Sequence, residues 1–221
     1  MDSKITKPKV IGEIRNVAFE DVYDETDPYI ERVIIQDCSI DTIAAESVEF
    51  IEVIFRNVRF EQVSISKMYL RDVIFEKCDL SNVQFEEATL QRVVFENCQM
   101  TGINLSDGRL ENVSFLQCNL QFAMFGYNKQ KLVAYQDCLL KQTDMYENVL
   151  NKVKFETCEL TGINFSHTAL NGIDLSNSVF DQMTVGINNL KGCIVNQEQA
   201  QALSLLLGLV VKENEEINLS H

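Results

Sequence analysis

The sequence is poor in the residues that most catalytic sites require. Its two histidines are His167 and His221, so acid–base chemistry that depends on histidine has almost no material. The nine glycines are scattered, and no GxSxG motif, HExxH motif or glycine-rich phosphate loop is present. No apolar run approaches the roughly 18 residues that a membrane-spanning helix needs. We therefore expect a protein that is not an enzyme, binds no cofactor and does not span a membrane.

The charge balance is strongly acidic, with a formal net charge of −14. Phosphate binding needs concentrated lysine and arginine, so direct binding to nucleic acid is not expected. The first residues, MDSKITKPKV, lack the apolar core of a secretory signal. These features predict a cytoplasmic protein. Its acidity would either suit a basic partner or simply maintain solubility.

The seven cysteines follow a regular spacing. Six of them lie on one lattice of twenty-residue steps: Cys38, Cys78, Cys98, Cys118, Cys138 and Cys158. Zinc sites need ligands clustered around one tetrahedral centre, and a reducing cytoplasm disfavours disulfides. An evenly spaced column supplies no such cluster. We interpret these cysteines as packing residues and predict no metal site.

Segments that resemble one another return every twenty residues. The copies include VIFEKCDL at 73–80, VVFENCQM at 93–100, VSFLQCNL at 113–120, VAYQDCLL at 133–140 and VKFETCEL at 153–160. Within each copy, large apolar residues recur at every fifth position, and a smaller residue usually stands two positions earlier. A period of five fits neither an α-helix nor a β-strand. It fits a chain that turns a corner after every five residues.

Four five-residue sides make a square coil of twenty residues. Successive coils would stack as parallel strands about 4.8 Å apart, with a right-handed path. This pattern resembles the pentapeptide-repeat family, whose members form a right-handed quadrilateral parallel β-helix. The fold class is therefore expected to be all-β, with about eight coils followed by a C-terminal α-helix. We predict three segments: an N-terminal cap at 1–29, the β-helix at 30–195, and a capping and dimerisation helix with its tail at 196–221.

The pentads stop at Val195, where a helical signal begins. Asn196 is a candidate N-cap with Gln199 as its capping-box partner, and Gly208 is a natural helix stop. The helix between them is apolar on more than one face. One face can cap the rod, and the rest predicts an end-to-end homodimer. The candidate dimerisation residues are Leu203, Leu206, Leu207, Leu209 and Val211.

The tail resembles the quinolone-resistance (Qnr) branch of the family, through Gln199-Ala200, Leu203, Leu207-Gly208 and Val211. The resemblance implies a dimeric acidic rod that binds DNA gyrase and topoisomerase IV, protects them from quinolones and mimics duplex DNA. This chain departs from the plasmid-borne members of the branch because it lacks their loop insertions. A topoisomerase contact would have to come from the faces of the rod or from the N-terminal segment.

Two groups of outward residues are candidates for partner binding. One side of the coil carries the carboxylates Glu46, Glu86, Glu87, Asp107, Asp144 and Glu147, with Lys67 as its single cation. These carboxylates either act as surrogates for phosphates or form an ordinary solvated face. The neighbouring side mixes acidic residues with Arg71, Arg92, Arg109, Lys129, Lys131 and Lys152.

The second group is apolar and lies in the middle of the rod. It is represented by Phe122, Met124, Tyr127 and Tyr146, close to GYNKQK at 126–131, where Asn128 and Gln130 break the apolar rule of the interior. The group is either a partner site or the result of a bulge that turns some of these residues inward. Asn128 also belongs to a column with Ala88, Gly108, Asn148, Thr168 and Asn188, which predicts a hydrogen-bonded ladder. A further outward stripe, Ile34, Ile54, Ile74 and Val94, is expected to be covered by residues 1–29.

Two hypotheses for the function follow. The first is a topoisomerase-binding protein of the quinolone-protection type. The second is a structural or adaptor pentapeptide-repeat protein that presents its surface to another cytoplasmic partner. Competition between duplex DNA and this protein for gyrase would distinguish them.

Overall fold

The computed structural model describes residues 4–12 and 14–212 as a four-sided coil that stacks on itself. Strand pairs are parallel and offset by twenty residues, so that Val73 pairs with Val93, Val93 with Val113 and Val113 with Val133. The result is a parallel β-solenoid of about eight turns that ends in one short helix. The predicted fold class is confirmed. The division into three segments stays a prediction.

The strands are short in the outer coils and long in the middle ones. The first nine are β1 Arg15–Asn16, β2 Tyr29–Glu31, β3 Val33–Gln36, β4 Ser39–Asp41, β5 Ala44–Ala45, β6 Glu49–Ile51, β7 Ile54–Arg56, β8 Arg59–Glu61 and β9 Ser64–Ile65. The central four are β10 Tyr69–Glu76, β11 Thr89–Glu96, β12 Arg109–Leu116 and β13 Lys129–Gln136. The last four are β14 Val149–Asn151, β15 Lys154–Glu156, β16 Ile163–Asn164 and β17 Met183–Thr184. Each central strand covers two adjacent sides of the square.

The corners of the square have a left-handed backbone. Most residues of the coils whose numbers end in 2 or 7 adopt positive φ, including Asp107 at 59°, Tyr127 at 61° and Glu147 at 51°. Such a conformation costs roughly 1–3 kcal/mol per residue unless the surroundings impose it. Here they do, because each corner N–H donates to a carbonyl of the next coil. The bond from Asp107 N to Gly126 O is 2.9 Å long, and the one from Tyr127 N to Tyr146 O is 2.8 Å.

Aromatic rings stacked along one inner column form the centre of the core. Phe75 and Phe95 lie 4.8 Å apart with nearly parallel rings, and the stack continues through Phe115 to Tyr135 and Phe155. Phe–Phe spacing therefore equals the rise of one coil. Identical residues recur in the sequence because identical coils place them above one another.

The cysteine column fills the narrow part of the interior. Cys78, Cys98, Cys118, Cys138 and Cys158 are buried and free, and Cys98 donates from Sγ to the Phe75 carbonyl at 3.5 Å. Cys38 and Cys193, nearer the two ends, are half-buried. The interpretation as packing residues is confirmed. Across residues 4–12 and 14–212, no group of three or more His, Cys, Asp or Glu residues is placed to hold a metal ion.

The predicted hydrogen-bonded ladder of polar residues is present in the middle of its column, but the prediction is wrong for the last member, Asn188. Asn148 N donates to Thr168 Oγ1 at 2.8 Å, and Thr168 Oγ1 donates to the Met145 carbonyl at 2.6 Å. Gly108 N donates to Asn128 Oδ1. Asn188, however, is exposed, because the coil side is replaced there by a 3₁₀ turn over Ile187–Leu190.

The N-terminal segment runs along the outside of the rod. Lys9 N donates to Asp72 Oδ1 at 2.8 Å, and Thr6 N donates to Asn112 Oδ1 at 2.9 Å. Ile5 and Pro8 help to line a groove of about 780 Å³ whose floor includes Ile74, Val94, Ser114, Leu116 and Ala134. The segment therefore covers part of the apolar stripe, whose four residues are half-buried.

The C-terminal helix α1, Gln197–Ser204, closes the other end of the rod. Asn196 and Gln199 form the expected capping box, and the chain leaves through a 3₁₀ turn at Leu205–Leu207 and a left-handed Gly208. Gln199 is buried, and its Nε2 donates to the carbonyls of Leu175 at 2.8 Å and Ser178 at 2.7 Å. One side chain thus caps both the helix and the last coil. No helix in the described chain is long and apolar enough to cross a membrane.

Candidate partner-binding face

One side of the coil, which we call the acidic face, is built from pentads whose central residues point inward. These central residues include Phe85, Leu105, Phe125 and Met145, all buried. The residues before and after each of them point outward and stack in straight columns, as the pairings Asn104–Met124 and Met124–Asp144 show. Side chains one coil apart therefore lie about 4.8 Å apart along the rod.

The candidate carboxylates differ in their surroundings. Glu87, Asp107 and Glu147 occupy exposed corners of the acidic face. Glu46 forms an ion pair with Lys67 at 2.9 Å, and the hydrogen bond from Lys67 lowers the pKa of the Glu46 carboxyl. Lys67 is the one cation on this face, and Glu46 neutralises it near the N-terminal end of the rod. The central part of the face therefore carries only acidic charges.

Two further carboxylates are held in place by neighbouring amides. Glu86 Oε1 accepts from Asn104 Nδ2 at 2.6 Å. Asp144 Oδ1 accepts from Asn164 Nδ2 at 2.8 Å and from Tyr146 N at 3.1 Å. Among the described residues, the hydrogen bonds to Asp144 all use Oδ1. These contacts fix the carboxylates on the flat side without neutralising them.

The structure brings part of the apolar candidate group onto the acidic face. Met124, Tyr127 and Tyr146 belong to its outward columns, and Phe122 lies at the preceding corner. The rings of Tyr127 and Tyr146 meet edge to face with centroids 5.3 Å apart. Tyr127 is 53% exposed and Phe122 is 55% exposed. Two predicted sites therefore form one surface.

Carboxylates surround the exposed tyrosine. Asp107 and Glu147 are one coil before and one coil after Tyr127 in the corner column. Partial burial raises the pKa of the Tyr127 hydroxyl, and the nearby Tyr146 and the charges of Glu147, Asp107 and Asp144 raise it further. The negative potential is thus concentrated where the aromatic rings are exposed.

Sequence reasoning did not include His167 in this surface. Its ring lies 5.2 Å from that of Tyr146, in an edge-to-face arrangement. The twenty-residue spacing already places His167 on this surface, because position 167 is one coil beyond Glu147 in the same corner column.

Asn128 and Gln130 of the GYNKQK segment point into the interior, and the segment does not form a bulge. Strand β13 keeps full register with β12, and Gln130 is buried. Gln130 Nε2 donates to Asn148 Oδ1 at 3.0 Å, and its Oε1 accepts from the Tyr135 hydroxyl at 3.0 Å. Tyr135 replaces the phenylalanine of its column, and this replacement was the sequence signal for a buried partner.

The neighbouring side carries charges of both signs, and two of its basic residues form ion pairs. Arg92 makes two hydrogen bonds of 2.6 Å to the Asp72 carboxylate, and Lys131 lies 2.6 Å from Glu111. Acidic and basic residues on this side therefore offset one another. This leaves the acidic face as the more strongly charged candidate for docking.

The candidate dimerisation residues fall into two groups. Leu203 is half-buried and packs against the core of its own rod. Leu206, Leu207, Leu209 and Val211 are exposed, and so are Leu205 and Val210, the latter by 87%. The exposed members form one continuous apolar stretch at the end of the rod.

The five-residue sides, the left-handed corners and the solid core define the class of protein. It is a parallel β-solenoid that presents flat side-chain ladders, and solenoids of this repeat type are typically non-enzymatic structural or adaptor proteins. Residues 68–133 match the family model for a pentapeptide repeat region, and residues 158–182 match the model for pentapeptide repeats (8 copies). Both matched regions are therefore pentapeptide-repeat segments.

Several solved structures are similar to this chain. A trypsin-treated variant of QnrB1, a plasmid-mediated fluoroquinolone resistance protein, is 24% identical, with a TM-score of 0.39 over 83% of this chain and 90% of that one. HetL, involved in heterocyst differentiation regulation in the cyanobacterium Nostoc sp. strain PCC 7120, is 13% identical, with a TM-score of 0.41 over 77% of this chain and 86% of that one. No curated protein matches.

Proposed function

We propose that this protein binds a type II topoisomerase, DNA gyrase or topoisomerase IV, and protects it from quinolones. The acidic face is the observation that supports this proposal most directly. Glu86, Glu87, Asp107, Asp144 and Glu147 lie on one flat side of a rigid rod, and none of them is neutralised by an ion pair among the described residues. A rod with one strongly negative side can occupy a basic channel that otherwise accepts DNA.

The regularity of the solenoid makes this face suitable as a mimic of a nucleic-acid backbone. Carboxylates in the corner column repeat at multiples of about 4.8 Å. Their backbone is fixed by hydrogen bonds between coils, so little conformational entropy is lost when a partner docks. The chain itself carries too few clustered cations to bind DNA directly. Competition with DNA for the same protein is therefore the expected mode of action.

The exposed apolar end of the rod supports a dimer. Leu206, Leu207, Leu209 and Val211 would be covered by a second copy across a two-fold axis, while Leu203 continues to seal its own rod. A dimer of this kind would double the length of the acidic face.

A supercoiling assay with purified gyrase and ciprofloxacin tests the proposal. The wild-type protein is expected to restore supercoiling at concentrations below those that inhibit gyrase. The triple variant Glu87→Gln, Asp107→Asn and Glu147→Gln should lose this protection. A control triple with the same charge change on other sides, Asp41→Asn, Glu61→Gln and Asp137→Asn, should retain it.

Binding and DNA competition complete the test. Duplex DNA should weaken the binding of the wild-type protein to gyrase. Failure of the folded wild type to bind or protect either topoisomerase would exclude the proposal. The adaptor hypothesis would then apply, and its partner would be sought by pull-down.

A further inference from the structure

The N-terminal segment at 4–12, which we call the strap, contacts the rod with a period of three residues. Its hydrogen bonds join Thr6 N to Asn112, Lys9 N to Asp72, and the Ile11 carbonyl to Arg32 at 3.1 Å. The three rod residues belong to one corner column and are two coils apart, or about 9.6 Å. Three residues of a polyproline II helix rise about 9.3 Å, whereas a β-strand repeats its contacts every second residue. The strap therefore follows the rod as a polyproline II segment whose repeat matches two coils.

The period of three also sorts the side chains of the strap. Ile5 and Pro8 are half-buried against the rod, whereas Lys4 and Lys7 are exposed, and all four line the groove of about 780 Å³. Neither lysine forms an ion pair with another described residue. The opposite edge of the groove carries Glu76, Glu96 and Glu156. The groove thus has one positive wall and one negative wall.

The floor of the groove is lowest where its side chains are small. Its central column runs through Ile74, Val94, Ser114, Ala134 and Lys154, which pair in register from coil to coil. Two small residues therefore follow two β-branched ones, and a lysine closes the far end. Four coil steps make the column about 19 Å long, which is the length of about six residues of polyproline II. The groove is therefore long enough for a second extended segment beside the strap.

We propose that this groove binds an extended, proline-containing segment of a partner protein, which lies alongside the strap. Every third residue of a polyproline II segment meets every second coil, and the strap already uses this register. An α-helix, with a turn of about 5.4 Å, and a β-strand, with a side-chain repeat of about 6.7 Å, do not keep it. Apolar residues three positions apart would rest on Val94 and Ala134, and acidic residues between them would meet Lys4 and Lys7.

The groove also suits the backbone of such a segment. A polyproline II segment has no internal hydrogen bonds, and the Ser114 hydroxyl and the Gln136 amide line the groove as donors for its carbonyls. The segment is extended before it binds, so it loses little conformational entropy. The pentads of this side stand ten residues, or two of the four sides, from those of the acidic face. The site is therefore on the opposite side of the rod, and it does not rest on the topoisomerase proposal.

Two labelled nine-residue peptides of identical composition test the site on the full-length chain. The first repeats Leu-Pro-Glu three times, and the second contains the same residues in three blocks, which destroys the three-residue spacing. Fluorescence anisotropy at about 150 mM salt should show at least fivefold tighter binding of the repeating peptide. Ser114→Gln, which fills the floor without a change of charge, should weaken this binding at least fivefold. The double variant Lys4→Gln and Lys7→Gln should have an effect of the same size.

Matched variants outside the groove separate the site from general charge. Ser39→Gln makes the same substitution on a different side of the coil. Lys129→Gln with Lys191→Gln removes two positive charges from the side of mixed charge. Both variants should bind the repeating peptide within twofold of the wild type. Equal binding of the two peptides, or equal losses in Ser114→Gln and Ser39→Gln, would overturn the proposal.

Sedimentation distinguishes a partner segment from a second copy of the chain. We expect Ser114→Gln to sediment and to unfold thermally like the wild type, because its side chain points outward. If neither peptide binds and Ser114→Gln sediments as a smaller species, the groove is an interface between copies and the proposal is wrong. Either result leaves the supercoiling test of the acidic face unaffected.

Discussion

At the scale of single residues, the aromatic column determines how stable each coil is. Phe95 is buried between Phe75 and Phe115, with ring centroids 4.8 and 5.0 Å away. Glu96 is the next residue, and its side chain points outward. The period of five therefore assigns opposite roles to two consecutive residues.

Substitution of these two residues tests that assignment. Phe95→Ala should lower the free energy of unfolding by about 3–5 kcal/mol because it leaves a cavity in the stack. Glu96→Ala should change it by less than about 0.5 kcal/mol. Chemical denaturation of both variants provides the measurement. Similar losses for the two would contradict the assignment of inward and outward positions.

Asp72 provides the second prediction at this scale. Burial opposes ionisation of its carboxylate, but hydrogen bonds from Arg92 and from Lys9 N outweigh it and lower the pKa of the carboxyl. A lowered pKa in the folded state stabilises the fold above the unfolded pKa of about 3.9, and this contribution disappears as the pH falls through the folded value. Asp72→Asn should therefore cost about 2 kcal/mol at pH 7.

The pH dependence checks the sign of this effect. The difference in the free energy of unfolding between wild type and Asp72→Asn should be constant from pH 7 to about pH 5 and should shrink below about pH 4. The exposed Asp41→Asn serves as the control and should show little difference at any of these pH values. A difference that grew on acidification would contradict the assigned pKa direction.

At the scale of elements, the C-terminal helix is attached to the last coil by the Gln199 side chain, by Asn196 Nδ2, which donates to the Ser176 carbonyl at 2.9 Å, and by the packing of Leu203. Gln199 donates to the carbonyls of Leu175 and Ser178, and its Oε1 accepts from Asn196 N at 2.9 Å. These carbonyls belong to the final turn of the solenoid, where no further coil can pair with them. The amide therefore acts as a substitute for the next coil.

Gln199→Ala should loosen the end of the rod. Loss of these bonds leaves the Ser178 carbonyl without its donor and the Leu175 carbonyl with only the bond from Ser178 N, at a cost of about 1–3 kcal/mol, and it removes the capping box. Hydrogen exchange of the last coil, around residues 170–180, should accelerate while that of the central coils stays unchanged. Gln197→Ala, an exposed glutamine two positions earlier, is the matched control and should leave exchange unaltered.

At the scale of the whole molecule, the apolar tail governs assembly. Leu206 is exposed beside Leu205 and Leu207, in a stretch that a second copy would cover. Leu206→Glu should convert a dimer into a monomer, because burial of an unpaired carboxylate at an apolar interface is strongly unfavourable. Analytical ultracentrifugation measures the change. If Leu206→Glu sedimented like the wild type, a dimer through this tail would be contradicted. Lys191→Glu, on the rod, is the control and should sediment like the wild type.

The repeat pattern was sufficient to predict most of the architecture. Because each coil pairs with an almost identical coil, the inward positions of Phe95, Cys98 and Leu105 follow directly from the spacing in the sequence. The capping box at Asn196 was also predictable, because capping depends on residues only three positions apart. In a solenoid, contacts are either local or one coil away, so sequence periodicity and spatial proximity coincide.

The tertiary structure decided what periodicity does not encode. It showed the rings of Tyr127 and Tyr146 in edge-to-face contact, and it showed Gln130 satisfied inside the core by Asn148 and Tyr135. It also directed Leu203 inward and left Leu206 exposed. These outcomes depend on side-chain orientation and on breaks in the repeat. The sequence alone therefore determined the coil, and the packing of particular side chains determined which surface can bind a partner.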